Sequence, residues 1–443
     1  MDDYSFSDIN DACIPVDSPV PETMDAMIAM CHWFTSRGIK VRMWKRDVWR
    51  AYRNLPVAAA HLLMMSVVWM MRGEIFIADH LGLPFGSIGA VYGWHRFSKF
   101  YTSIARRIFK LPTSNFVDDF FGVSAAKRKR SGGEIMDRLA DLVGIRMDPG
   151  KSVESESLLP LLGAEIAVEH ETLDILVAVE ESKAKKWSAG LQAIVDEQVL
   201  ESPLAAKYAG RLQFATSRHT GRVGRAYIRP LHAQAMDPQF GNALSFLGNR
   251  ACCWFIKYLD LRPLLRVRAS KTCRNSVVTW SDAAGPSRMV AAFMWSQERG
   301  WLWTNWKAPR SLVSRLIPRN DDQITFLELA GLILALETFG AYLQESSWDA
   351  YVDNQGVLGA IKKGGSKALD LNCVIGQFWI ELAKRSIAMR ILRVQSASNI
   401  ADEPTRGSTA WVDRVAATFV TPVIAPWLLD PWCAPQFPPE EFA

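Results

Sequence analysis

The spacing of apolar positions changes character twice along this 443-residue chain. Up to about residue 170, strand-like runs at Lys40–Trp44, Glu74–Ala78 and Ser114–Val117 alternate with stretches of helical spacing, which predicts an α+β sheet domain. From Glu180 to Leu265 the spacing is mostly helical, most clearly in EESKAKKWSAGLQAIVDEQVLE and SPLAAKYAGRLQFATSRH. A β pattern returns at NSVVTWSDAAG, and three strand candidates, SVVTWSD, MVAAFMWS and GWLWTNW, follow one another. A helix TFLELAGLILALETFGAYL, a strand WDAYVDN, a helix ALDLNCVIGQFWIELAKRS and a strand AMRILRVQ complete a mixed α/β domain that begins with a β-meander. The longest apolar run, Leu55–Met71, is short for a membrane span and contains His61, so it is expected to form a buried strand and helix in a core. After Trp411 the chain becomes rich in Pro and Trp and suggests no chemistry.

Composition narrows the class without naming a ligand. An apolar fraction of 49% with 22% charged residues describes an ordinary globular protein, and the length suggests more than one domain. Seven cysteines at irregular spacings offer neither a zinc pattern nor a disulfide framework and read as reduced thiols of an intracellular protein, in cytoplasm or nucleus. The acidic, polar start MDDYSFSDIN is not a secretory signal, and no membrane partner is expected. A net charge of +5 permits a polyanionic partner. Within Lys207–Arg229, where no acidic residue occurs, Arg218, Arg222, Arg225 and Arg229 fall on one helical face, although Gly221 and Gly224 weaken the helix. Such a face is either merely solvated or a contact to a polyanion. KRKR at 127–130 reads as a solvated loop, with an import signal as the weaker alternative.

The carboxylates carry the chemistry. In NFVDDFFG, Asp118 and Asp119 stand side by side among aromatic and β-branched neighbours, and burying both requires a proton or a cation to neutralise them. Upstream, Asp47 follows the strand-like IKVRMW, which makes a candidate cluster of three. Three carboxylates with oxygen-only ligation suit Mg or Mn, and two such ions would serve phosphoryl transfer. Between them LGLPFGSIGAVYG permits tight turns and close approach of backbone to a ligand. A second set lies further on: Asp282 at the end of the first meander strand, Glu328 in a helix, Asp353 ending WDAYVDN and Asp402 in SNIADEPTRG. Four carboxylates at strand ends and on a facing helix again suggest a two-metal phosphodiesterase centre.

In order and spacing, DVWRAYRNLPV, LPFGSIGAVY, FVDDF, GIRMDPGKS and LLGAEIAV resemble the successive motifs of a retroelement reverse transcriptase, of the LTR or DIRS-like type. AGRLQFATSRHTGRVGRAYIRPL is similar to a helix of that family's thumb or connection, and SDAAG, FLELAGL, YVDNQGVLGAI and NIADEPTRG resemble a fused ribonuclease H. The resemblance implies a polymerase palm over residues 1–170 with the fingers largely missing, so that the chain is N-terminally truncated against the family. It further implies a mostly helical thumb or connection over 171–272, an α/β ribonuclease H-like domain over 273–410 and a Pro/Trp-rich tail over 411–443. Carried across, it implies that Asp47 and Asp118 ligate metal with Asp119 in support, that Tyr52 is a steric gate against a nucleotide 2′-hydroxyl, that Phe85 and Gly86 line the nucleotide and template pocket, and that Lys151 lies near the leaving pyrophosphate. Asp282, Glu328, Asp353 and Asp402 would hold the nuclease metals, two Mg2+ or Mn2+ per active site. Arg218, Arg222, Arg225 and Arg229 would meet the template and primer backbone. The departure from the family is that LRVQSASNIAD lacks the histidine that many ribonucleases H carry ahead of the last Asp.

The expected activity is therefore RNA-directed DNA synthesis joined to cleavage of RNA in an RNA/DNA hybrid, with RNA template, DNA primer and dNTPs as partners. Two alternatives stand beside it: only the nuclease half is active, or the chain is a non-catalytic remnant that binds nucleic acid.

Overall fold

The computed structural model describes residues 10–11, 13–14, 18–20, 22–128, 131–216, 223–269 and 276–431, and they form a mixed α+β protein. The chain divides into two compact units, residues 1–176 with 267–270, and residues 177–266 with 271–443. Among the described residues no helix is long and apolar enough to cross a membrane.

In the first unit, helix α1 (Met24–Thr35) precedes strand β1 (Val41–Asp47), a hairpin of β2 (Ser66–Met71) and β3 (Glu74–Asp79), and the long helix α2 (Ile88–Arg107). The hairpin β4 (Thr113–Phe116) and β5 (Asp119–Ala125) follows, then helix α3 (Gly132–Val143) and short strands β6 (Val153–Ser155), β7 (Leu158–Leu161) and β8 (Ala164–Val168). The central sheet runs β4-β5-β1-β6 and is antiparallel throughout. Because strand side chains alternate between faces, Trp44 and Arg46 of β1 point to one face. There Trp44 joins Phe120, Trp94 and Tyr101 of α2, and Met136 and Leu139 of α3 in one core. Arg46 is buried beside Asp137 at 2.8 Å and Glu154 at 2.6 Å, which pins α3 and β6 to β1. The start of α3 can approach this closely only without side chains: a Cβ on Gly132 would lie 2.2 Å from Trp44 Nε1, and one on Gly133 would lie 2.4 Å from the Arg46 guanidinium.

The run Leu55–Met71 departs from its expected burial. Ala59–Met65 forms a 3-10 turn with no buried residue, and β2 pairs with β3 alone. Leu63 is 90% exposed and Met70 71%. Hydrophobicity called for burial, but no other described element of this unit's sheets supplies a surface to bury against.

The unit boundary falls within β9 (Ile175–Val179). Four helices follow, α4 (Glu181–Glu197), α5 (Ser202–Thr216), α6 (Arg225–Met236) and α7 (Phe246–Leu261), then the short β10 (Leu265–Val267). The stretch expected to place four arginines on one helical face is interrupted at Gly224, whose φ of +78° suits glycine and after which α6 begins. Arg225 and Arg229 are exposed on α6, whereas Arg218 and Arg222 lie outside the described residues.

Strands β11 (Ser276–Ala284), β12 (Met289–Ser296) and β13 (Gly300–Lys307) make the antiparallel meander. The short α8 (Arg310–Val313), α9 (Ile324–Thr338), α10 (Gly340–Leu343), β14 (Ser347–Val352), α11 (Gln355–Lys363), α12 (Leu369–Lys384) and β15 (Ala388–Arg393) follow, then α13 (Asp402–Thr405), α14 (Ala410–Arg414) and β16 (Thr418–Phe419). The sheet order is β15-β14-β11-β12-β13-β16, with β14 parallel to both β11 and β15. Helix α9 is apolar nearly all round and buried from Phe326 to Leu336, as a helix at the centre of a core must be. Gly331 lets it lie close to β11, since a Cβ there would meet Ser281 Cβ at 3.2 Å. The same core takes in α4 to α7, with Tyr227 of α6 packed so near Gly376 of α12 that a Cβ would lie 2.4 Å from its ring. Cys31, Cys252 and Cys373 are buried free thiols, while Cys273 and Cys433 lie outside the described residues.

Candidate active sites

Asp47 is the last residue of β1 and pairs in register with Asp119 on β5, so both carboxylates leave the same face of the sheet. Asp118 sits in the tight turn of the β4–β5 hairpin. Val117, beside it, adopts φ +53°, a left-handed conformation unusual for a β-branched residue. Trp94 Nε1 donates to the Val117 carbonyl at 2.8 Å, and Val48 N–H donates to the Asp118 carbonyl at 3.2 Å; these bonds hold the turn in that conformation. Lys151 Nζ donates to both oxygens of Asp47, at 3.1 and 3.3 Å, and its loop is fastened by Asp148 N–H donating to the Asp47 carbonyl at 2.8 Å.

Burial pushes the Asp118 carboxyl above its ordinary range; the Asp47 charge adds to this and Lys151 opposes it. Asp119 is pushed up to about 6, again mainly by burial, with Lys45 opposing and Asp118 and Asp47 adding. Tyr52 lies in a 3-10 turn after β1, its ring edge-on to Phe85 at 5.2 Å and to Trp94 at 6.3 Å. Burial and the Asp118 charge both push its hydroxyl up. Gly86 follows Phe85 with φ +91°, and its carbonyl accepts from Asn10 Nδ2 at 3.0 Å. Tyr52 and Phe85 are thus neighbours, with the Asp118 charge acting on Tyr52, while Asp47 is engaged by Lys151.

The second carboxylate set gathers more tightly. Asp282 lies two residues inside the end of β11, Glu328 on α9, and Asp353 immediately after β14; one oxygen of each falls within 4.8 Å of the others. Among the described residues this is the one group of three His, Cys, Asp or Glu side chains gathered so closely. Thr405 Oγ1 donates to Asp282 Oδ2 at 2.9 Å and Asn399 Nδ2 to Oδ1 at 3.3 Å, which fixes the carboxylate plane. Glu328 Oε2 and Asp353 Oδ1 are buried and have no hydrogen-bond partner.

Burial, then the neighbouring carboxylates, pushes Glu328 up to about 10. Burial also pushes Asp282 up to about 7, with the Thr405 hydrogen bond opposing and Asp353 and Asp402 adding. Buried, mutually repelling oxygens without donors are what a hard divalent cation would satisfy, so the donor set fits Mg or Mn. Asp402 begins α13, and its Oδ1 accepts from Arg406 at 2.8–2.9 Å. Thr405, Asn399 and Arg406 went unassigned in the sequence. All three stand inside the quoted NIADEPTRG, but only the fold shows which carboxylate each one meets. Trp94, which anchors the FVDD turn, gave no signal.

No protein-family model matches the chain, and no curated protein matches it. Among solved structures it is similar to the foamy viral protease-reverse transcriptase. For the dRH form in complex with double-stranded DNA, identity is 12% and the TM-score 0.40, over 88% of this chain and 62% of that one. For the complex with RNA/DNA hybrid the values are 11% and 0.39, over 89% and 48%. A further double-stranded DNA complex gives 11% and 0.39, over 88% and 73%. The chain thus spans between about half and three quarters of the length of the structures it resembles.

Proposed function

We propose that the second unit is a divalent-metal-dependent nuclease that cuts the RNA strand of an RNA/DNA hybrid, in a retroelement reverse transcriptase of LTR or DIRS-like type. The observation that carries this reading is the Asp282, Glu328 and Asp353 cluster with its two buried, unpartnered oxygens. Asp282, Glu328 and Asp353 would hold Mg2+ or Mn2+, with Asp402 available at the rim. A bound pair of ions supplies an activated water and charge stabilisation at the leaving oxygen. The chain's own contribution is orientation: Thr405 and Asn399 fix Asp282, and α9 delivers Glu328 against β11. Hydrolysis of a labelled hybrid in Mg or Mn tests the reading. Asp353→Asn should lower the rate by at least about a hundredfold, by analogy with the loss of one group from a preorganised charge-stabilising site. Cleavage unaffected by that substitution would overturn the assignment.

A second reading assigns RNA-directed DNA synthesis to the first unit, with RNA template, DNA primer and dNTPs as substrates. It is favoured by Asp47 and Asp119 facing each other in register, with Asp118 in the adjoining turn, and by the ring contact of Tyr52 with Phe85. Asp47 and Asp118 would take the metals once Lys151 turns to the phosphates, and Tyr52 would exclude the 2′-hydroxyl. Primer extension on an RNA template, abolished by Asp118→Asn, is the expected result; no extension in either metal would sink this reading and leave the nuclease. Residues 171–272 would then act as thumb or connection. Salt-sensitive hybrid binding with no turnover at either site would instead favour a non-catalytic nucleic-acid-binding remnant.

A further inference from the structure

We propose that Arg406 gates the carboxylate centre of the second unit: its guanidinium keeps Asp402 turned away from Asp282, Glu328 and Asp353, so that the cluster takes one divalent cation readily and a second only when Arg406 releases Asp402. The inference rests on the nuclease reading above and concerns how that centre is filled. Three carboxylate oxygens within 4.8 Å of one another suffice for one ion, and Asp402 lies outside that group. Its Oδ1 instead accepts from both Nε and Nη2 of Arg406, at 2.9 and 2.8 Å. Asp402 is nonetheless near enough for its charge to push up both Asp282 and Glu328, and the Arg406 charge opposes it at Asp282.

What separates Asp402 from the cluster is the direction of one side chain. The backbone around it is fastened on both sides. Asn399 Nδ2 donates to the Ser281 carbonyl at 3.1 Å, Ala401 is fully buried, and the Thr405 hydroxyl that holds Asp282 also lies 2.8 Å from the Asp402 carbonyl. Asp402 therefore changes partner by turning its side chain between staggered positions, with α13 left in place. The Arg406 side chain, by contrast, is 71% exposed, and an ion pair so open to water is weak. Beside it lies a cleft of about 850 Å³ walled by Ser287, Asn305, Ser408 and Thr409, in which, among the described residues, Asp402 is the one acidic side chain. The guanidinium thus has polar space to turn into. An acid and a base four residues apart are ordinarily no more than a solvated pair. This pair differs because its acid stands at the edge of a buried carboxylate cluster, where a second cation has to compete with the Arg406 charge for the same oxygens.

The test counts Mn2+ bound to the full chain by electron paramagnetic resonance, in a background of Asp47→Asn and Asp118→Asn that takes the first unit's carboxylates out of the count. The parent of this series should bind one ion tightly and one weakly, both lost with Asp353→Asn. Arg406→Gln should tighten the weak site by about three- to fivefold, the amount an exposed ion pair withholds, and leave the tight one unchanged. Arg406→Lys, which keeps the charge, should leave the weak site near its parental affinity. Arg414→Gln, which removes an exposed cation of α14, should change neither site. Arg406→Gln combined with Asp402→Asn should show no tightening, since the gain depends on the released carboxylate. An unchanged weak site in Arg406→Gln would overturn the proposal, as would tightening that survives Asp402→Asn, or two equally tight ions in the parent. Each of these results leaves the nuclease reading standing. Mn2+ binding that does not fall on Asp353→Asn would remove the metal centre, and with it both the nuclease reading and the gate.

Discussion

Glu328 and Asp282 hold their protons far above the ordinary carboxylate range, to about 10 and about 7, and this couples the nuclease site to stability. The unfolded chain releases these protons at the ordinary values of 4.5 and 3.8, so through the interval up to the raised values the folded protein binds more protons than the unfolded one. The stabilising contribution of these two groups in the metal-free protein is therefore fully present below that interval and is lost as pH rises through it, past about 7. Mg or Mn, which binds the deprotonated carboxylates, should raise the melting temperature more at the alkaline end than at the acid end. Glu328→Gln keeps the shape and removes the charge: it should stabilise the metal-free protein at alkaline pH by on the order of 1 kcal/mol and abolish most of the metal-induced rise. Thermal unfolding in chelator and in Mg across pH checks both effects. At this scale the acidic residues were visible in the sequence as types and spacings. Their crowding was not, because Asp282, Glu328 and Asp353 come from a strand, a helix and a strand end far apart in the chain.

Elements differ in how openly the sequence announces them. The meander β11–β13 and helix α9 stand close to where alternation and helical spacing put them, although β11 continues past Asp282 to Ala284. Strand β1 likewise runs three residues beyond the apolar Lys40–Trp44, because its polar end is paired with β5 through Asp47. Periodicity cannot register a partner strand. It also carried one helical face across Gly224, which stands at φ +78° just before α6 begins. Glycines that mark close packing were equally silent: nothing in SGGEIMDRLADLV says that Gly132 must leave room for Trp44. Gly132→Ala, in a helix position where alanine would ordinarily be favourable, should instead cost about 1–3 kcal/mol by overpacking, measured as a lower denaturant midpoint. Ala substitution at Gly210, which has open space around it, serves as the comparison and should be neutral or stabilising.

Across the whole molecule, two folding units each present carboxylates at the ends of sheet strands, the first as an in-register pair beside a hairpin turn, the second as a buried cluster. The sequence set out the two groups of carboxylates one after the other along the chain. What it could not convey is which apolar residues find a partner, since burial depends on neighbours and not on hydropathy alone. In the β2–β3 hairpin, Val68 faces Ile77 and Met70 faces Ile75 across the ribbon, and these four side chains are 63–71% exposed. A two-stranded ribbon is marginal by itself, and its outer edges leave backbone N–H and C=O groups free to pair with another chain. The sequence SVVWMM also has the β-branched, uncharged character of segments that stack into fibrils. The solubility of this protein should therefore be set by one ribbon and not by its net charge: Val68→Lys with Ile77→Lys should raise the concentration at which light scattering begins, while leaving the unfolding midpoint of the second unit where it was.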